Sequence, residues 1–183
     1  INKYNVMPSD EQLAGMGEWD LFKAGRLGMI VTGVWAIPDI TKNCDFEWDI
    51  AVEPGNKTKA THFFSNGYVI SKDTKVADAA FEFAAFLTSA KEAVQIRLDA
   101  GWELPPVTDP DVLNQYKSLT PPSNRQAVFD SLDYLVTPPV IEQYQEFQDI
   151  VNYHLNTVVT KDATVEEALE ALQKELEEKI KLN

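Results

Sequence analysis

From Lys75 to Ile180 the apolar residues of this chain recur at three- and four-residue intervals. Gly101 and the pairs Pro105-Pro106, Pro121-Pro122 and Pro138-Pro139 cut that pattern into separate lengths. Such spacing gathers apolar side chains on one stripe of a helix, with polar ones opposite. The back half of the chain is thereby committed to helices. Val76, Ala80, Phe83, Ala84 and Leu87 mark one from about Lys75 to Leu87. Ser89-Ala90-Lys91-Glu92 reads as a capping box opening a helix to about Ala100, with Gly101 as its stop. A short helix is expected around Val112–Leu119, and Ser123-Asn124-Arg125-Gln126 caps the next. A long helix follows Pro138-Pro139 through about Val158. Thr164-Val165-Glu166-Glu167 caps a terminal helix striped by Ala168, Leu169, Leu172, Leu176 and Ile180.

The front part reads differently. Ser9-Asp10-Glu11-Gln12 is a capping box, and its helix is expected to reach about Lys23 and end at Gly25. Leu27–Thr32 is an apolar run best read as a buried strand, followed after Gly33 by a turn or short helix at Val34–Ile40. Trp48–Val52 alternates in polarity up to Pro54-Gly55, as a strand does before a turn. The polar residues from Gly55 to Thr61 predict an exposed loop. Phe63–Ser71 reads as one strand bent at Asn66-Gly67.

With 183 residues, one domain is the first expectation and two the upper bound. The net charge of −13 argues against a nucleic-acid backbone or an anionic membrane as partner, since both attract Lys/Arg clusters and no basic run is present. One cysteine, Cys44, cannot form an internal disulfide, and two histidines with one cysteine are too few soft ligands for zinc. No apolar run approaches a membrane span. Motifs for nucleophilic, phosphate-binding or metal-dependent catalysis are missing, so no catalytic residue, metal or cofactor is assigned. His62 and His154 read as ordinary histidines.

The four tryptophans are more informative. Trp35 follows a glycine at the end of a predicted strand, and Trp102 directly follows the glycine that ends a helix. Strand ends and helix-flanking loops are where ligands meet α/β sheets, and an indole face suits the apolar C–H face of a sugar. Packing is the competing use of any aromatic, and for Trp19 and Trp48, within a helix and a strand, it is the expected one.

The stretch Phe22-Lys23-Ala24-Gly25-Arg26-Leu27-Gly28-Met29-Ile30-Val31-Thr32-Gly33-Val34-Trp35-Ala36 resembles the "F-x-x-G-k-x-a-M-x-x-x-G-x-W-a" signature of extracellular solute-binding proteins of ABC importers, the sugar-binding group that includes maltose-binding protein. Ser65–Lys72, then Ala77, Ala80, Phe83 and Leu87, then Gly101 to Pro106, then Thr164–Leu169 resemble its later motifs in the same order. The resemblance implies an α/β fold of the type II periplasmic-binding-protein class, helix-rich with a few short strands. It also implies that residues 1–183 are the C-terminal portion of a two-lobed protein, holding parts of both lobes. The implied function is non-enzymatic: capture of a sugar or oligosaccharide outside the cell and delivery to the membrane subunits of an ABC permease. The implied location is extracellular or periplasmic, with lipid anchoring through the N-terminal part that this chain lacks. The site residues it implies are Trp35 as a ring-stacking residue, Asn66, Gly67, Trp102 and Glu103 as cleft lining, and Asp39 and Gln145. The alternative is a helical acidic protein-interaction module without a small-molecule ligand.

Overall fold

The computed structural model describes residues 3, 4, 6–63, 65–101, 104 and 106–180. These divide into two compact units, one formed by Gly15–Thr137 and the other by the described residues within Ile1–Ala14 and Pro138–Asn183.

In the larger unit, α2 (Glu18–Lys23) ends in a Schellman motif. Gly25, at φ +68°, donates to Phe22 O at 2.8 Å, and Arg26 N donates to Leu21 O at 2.9 Å. A 3-10 turn at Val34–Ala36 runs into α3 (Ile37–Asn43), whose Pro38 sits in the first turn where no N–H is needed. Phe22, Ala36 and Ile40 form a first core, with Trp19, Leu27, Ile30, Phe46 and Trp48 packed around it. The expected packing roles of Trp19 and Trp48 are therefore observed. Phe22 and Phe46 meet edge to face, with ring centroids 5.6 Å apart. α4 (Ala77–Ser89), α5 (Lys91–Asp99) and α6 (Pro110–Ser118) follow, then α7 (Gln126–Ser131). Val94, Leu98 and Tyr116 make a second core, joined by Leu104, Val112, Leu119 and Phe129. Two short strands, β1 (Thr61–His62) and β2 (Leu135–Val136), pair in parallel with Thr61 opposite Leu135.

The smaller unit contains α1 (Asp10–Leu13) and a pair of long helices, α8 (Tyr144–Val159) and α9 (Val165–Lys179). Gln143 Nε2 donates to Lys179 O at 3.0 Å, so the start of α8 lies beside the end of α9 and the pair is antiparallel. Buried His154 on α8 meets Glu175 on α9 at 2.7 Å, and Lys179 Nζ reaches the other Glu175 oxygen at 2.6 Å. Thr164 and Glu167 complete the expected capping box in both directions.

Several expectations are corrected. The helix opened by Ser9 and Gln12 keeps its capping box but does not run to Lys23. It stops at Leu13, where Ala14 and Gly15 take φ values of +50° and +78°, and helix resumes only at Glu18. Glycines at 15 and 17 each disfavour helix by about 1 kcal/mol relative to alanine. Leu27–Thr32, Trp48–Val52 and the described part of Phe63–Ser71 are not strands, although Phe63 N donates to Val136 O at 2.9 Å just past β1. Met29 is 90% exposed and Val69 94%. β1 falls at the end of the expected exposed loop, and β2 was not anticipated. Ser89 and Ser123 do not cap. Ser89 Oγ donates back to Ala85 O at 2.8 Å, and Ser123 Oγ donates to Asp49. Pro110, just after an Asp109 that caps through its side chain, opens α6 earlier than expected.

Candidate functional site

The Gly33–Asn43 segment is built to present one indole. Ala36, Ile37 and Ile40 are buried, and Ala36 and Ile40 fix the helical run to the first core. Trp35, immediately before them in sequence, stays 51% exposed. Its ring folds back over Gly33. A Cβ on Gly33 would overlap Cε3, Cζ3 and Cη2 of the indole, so only glycine leaves the ring this position. The G-x-W spacing thus has a local steric meaning.

Asp39 lies one turn further along, on α3, but its oxygens are engaged. Lys23 Nζ approaches at 3.5 Å, and Asn43 Nδ2 donates at 2.7 Å. Asn66 and Gly67 lie on an exposed stretch of the same unit without regular secondary structure. Gly67 has open space around a Cβ position and no left-handed φ. The neighbouring Tyr68 Oη accepts from Arg97 Nη2 at 2.9 Å, which ties this stretch to α5. Gln145 belongs to the smaller unit, on α8, where its amide donates to Asp149 at 2.9 Å. Trp102 and Glu103 lie outside the described residues.

Two features were not found from the sequence. Asp49 receives Ser123 Oγ, Asn124 N at 2.8 Å and Ile50 N at 2.9 Å, while Asn124 Nδ2 donates to Ile50 O at 2.9 Å. This latch joins the segment beside the first core to the turn before α7. Burial pushes the Asp49 carboxyl up, but the donors from Ser123, Asn124 and Ile50 outweigh it and hold it below the usual carboxylate value. The second feature is Arg125, 2% exposed, which lines a cavity of about 290 Å³ with Pro38, Thr41 and Gly101. Among the described residues no cluster of three or more His, Cys, Asp or Glu side chains is arranged to hold a metal.

The profile of the bacterial extracellular solute-binding proteins matches residues 5–118. The chain belongs to this family. The solute-binding protein is also similar to a solved ABC substrate-binding protein from Listeria monocytogenes in complex with cycloalternan. The two share 41% sequence identity with a TM-score of 0.84, over 93% of this chain and 44% of that one. This solute-binding protein therefore spans less than half the length of that relative. A comparison with curated proteins gave no match. The structural likeness places the fold in the type II periplasmic-binding class, helix-rich with few short strands. Members of this family are binding proteins.

Proposed function

We propose that the solute-binding protein works as the substrate-binding component of an ABC importer, capturing a sugar or oligosaccharide outside the cell and handing it to the permease without chemical change. The observation that carries this reading is the 41% identity, across 93% of the chain, to an ABC substrate-binding protein solved with cycloalternan. The local geometry supports it: Trp35 holds a half-exposed indole over Gly33. In this reading residues 1–183 are the C-terminal portion of the two-lobed protein, and the whole is anchored by lipid at its N-terminus. Ligand bridging the lobes favours the closed form only by contacts that the open form lacks.

Trp35 stacks on a sugar ring, and Asn66, Gly67, Trp102 and Glu103 line the cleft and orient hydroxyl groups. Asp39 and Gln145 join only by giving up their bonds to Asn43 and Asp149. A tryptophan offers about 150–250 Å², so the exposed half of Trp35 is about 100 Å². Covering half to all of that contributes about 1.3–2.5 kcal/mol at about 25 cal/mol per Å². Titrating the full-length protein with cycloalternan and a panel of gluco-oligosaccharides, by intrinsic fluorescence and calorimetry, tests the reading. Trp35→Ala is expected to weaken the best ligand about ten- to sixtyfold. An unchanged Kd rejects the stacking role, and silence across the whole panel rejects sugar capture.

A further inference from the structure

The cavity between α3, the C-terminal end of α5 and the turn before α7 has two kinds of lining. Its floor is apolar. Ile37 and Leu98, 4% and 1% exposed, meet there with Pro38 and Leu119. Arg125 closes the floor by packing and not as a donor to a ligand. Its Nε donates to Leu119 O at 3.1 Å, its Nη2 to Pro121 O at 3.2 Å, and the Tyr116 ring covers the guanidinium.

The rim is polar and unengaged. Thr41 and Lys42 on α3, and Thr120 before α7, are exposed, and no described residue bonds to their side chains. Asp99 enters from the end of α5, with Oδ1 accepting Gln95 Nε2 at 2.7 Å and the second oxygen free among the described residues. The helix itself ends at this wall. Ala100 N donates to Ile96 O and Gly101 N to Leu98 O, but no described N–H reaches the carbonyls of Asp99 and Ala100.

This mixture selects against charge. An anion drawn to Lys42 meets the Asp99 carboxylate and the negative end of α5, while a cation drawn to Asp99 meets Lys42. A neutral group with several hydroxyls suits both walls. Each hydroxyl donates to a carbonyl or carboxylate and accepts from an ammonium or threonine, and a sugar ring has an apolar C–H face for the floor. The volume, about 290 Å³, lies at the lower end of ligand-sized pockets and suits one ring better than an extended chain.

We propose that this cavity holds one saccharide ring, as a second carbohydrate site distinct from the one at Trp35. It stands on the cavity's own lining, so either site can fail alone. The experiment titrates glucose into the full-length protein carrying Trp35→Ala and follows the methyl resonances of Ile37, Thr41, Leu98 and Thr120. Removing the indole keeps ligand at the other site from moving these signals. Glucuronate and glucosamine, the same ring with one charge added, are titrated in parallel, and Trp35 fluorescence is read in the unsubstituted protein.

A saturable shift of the four methyl groups with glucose is expected, with neither charged sugar binding tighter. Thr120→Val, at an exposed position, should weaken the response about two- to tenfold, the loss of one neutral hydrogen bond. Methyl shifts without any change in Trp35 fluorescence support this site and reject only the stacking role. A fluorescence response with still methyl groups rejects only this site. Tighter binding of glucuronate makes the cavity an anion site and tighter binding of glucosamine a cation site, and either result overturns the proposal.

Discussion

Gly33→Ala isolates what the glycine in the G-x-W stretch does. Gly33 sits at φ −118° and ψ 174°, extended backbone that alanine adopts without strain. The whole effect of the added methyl therefore falls on the Trp35 ring, whose Cε3, Cζ3 and Cη2 occupy that space. The ring must rotate away. It gives up contacts worth about 0.1–0.2 kcal/mol per carbon pair, and holding it near its present position would need an off-rotamer angle costing about 0.5–1.5 kcal/mol. Together these disfavour the present orientation by about 1–2 kcal/mol, a five- to thirtyfold drop in its population. Stability should change by less than about 1 kcal/mol, because the half-exposed ring swings into water and leaves no cavity. In the proposed sugar-capture role, with the present orientation receiving the ligand, affinity for the best sugar of the panel falls by the same five- to thirtyfold, since apparent affinity scales with the competent fraction. The assay is calorimetric titration of the full-length protein, with Gly33→Ala also placed in a Trp35→Ala background. There it should have no further effect, because the two residues act through one ring. A Gly33→Ala protein with parental affinity and parental Trp35 fluorescence would refute the steric account.

Three further outcomes follow from the same geometry. Asp49→Ala, which removes the acceptor of the latch to Ser123 and Asn124, should destabilise by about 1–2 kcal/mol after allowance for its exposure. Because the folded Asp49 pKa is depressed, the stability it contributes is present above about pH 3.8 and is lost as pH falls through the lower folded value. Acid denaturation of wild type against Asp49→Ala reads that difference, and parallel acid limbs would discount the latch. Lys161 sits at φ +67° in a Schellman turn where glycine is favoured, with Asp162 N donating to Thr157 O at 2.9 Å, so Lys161→Gly should stabilise by about 1 kcal/mol in urea melts. Lys179 on the same helix, then His154 across on α8, hold the Glu175 carboxyl below its usual 4.5, so the stability this carboxylate gives α9 and, through His154, the α8–α9 pairing is lost as pH falls below that value. His154→Ala should reduce the pH dependence of amide-exchange protection in α9, and an unchanged profile would assign the shift to Lys179 alone.

The helices were legible because their signals are local. The Thr164–Glu167 capping box, the Gly25 and Gly101 stops and the stripe through Ala168 each lie within a few residues of what they determine. The misread caps show the limit of that argument. Ser123 stands where a capping residue belongs, yet its hydroxyl has a stronger acceptor in the Asp49 carboxylate, distant in sequence. Ser89 is likewise diverted to the carbonyl of Ala85 in its own helix. Trp35 drew notice in the sequence through its position after Gly33, but the reason for that glycine was not legible. The overlap with the indole is visible only once the ring is placed.

Strands fail for a deeper reason of the same kind. Met29, Ile30 and Val31 alternate as a strand should, with Ile30 turned to the first core and its neighbours outward. Alternation records which face is apolar, whereas a strand exists only when another backbone fills its ladder. No described residue does this for 27–32 or 65–71, and the bare apolar side chains there are Met29, Val31, Val69 and Ile70. These side chains stay exposed among the described residues, and the chain covers 44% of the length of its Listeria relative. Arg125 is the converse case. It sits in a polar Ser-Asn-Arg-Gln run that reads as a helix cap, yet folding buries it against Tyr116 and two carbonyls. For a side chain that long, burial is decided by the shape of the turn and by its neighbours, neither of which has a period to read. Asp49 and Ser123, whose roles depend on partners distant in sequence, and Arg125, whose burial depends on the shape of its turn, are therefore the ones that local pattern assigns wrongly or overlooks.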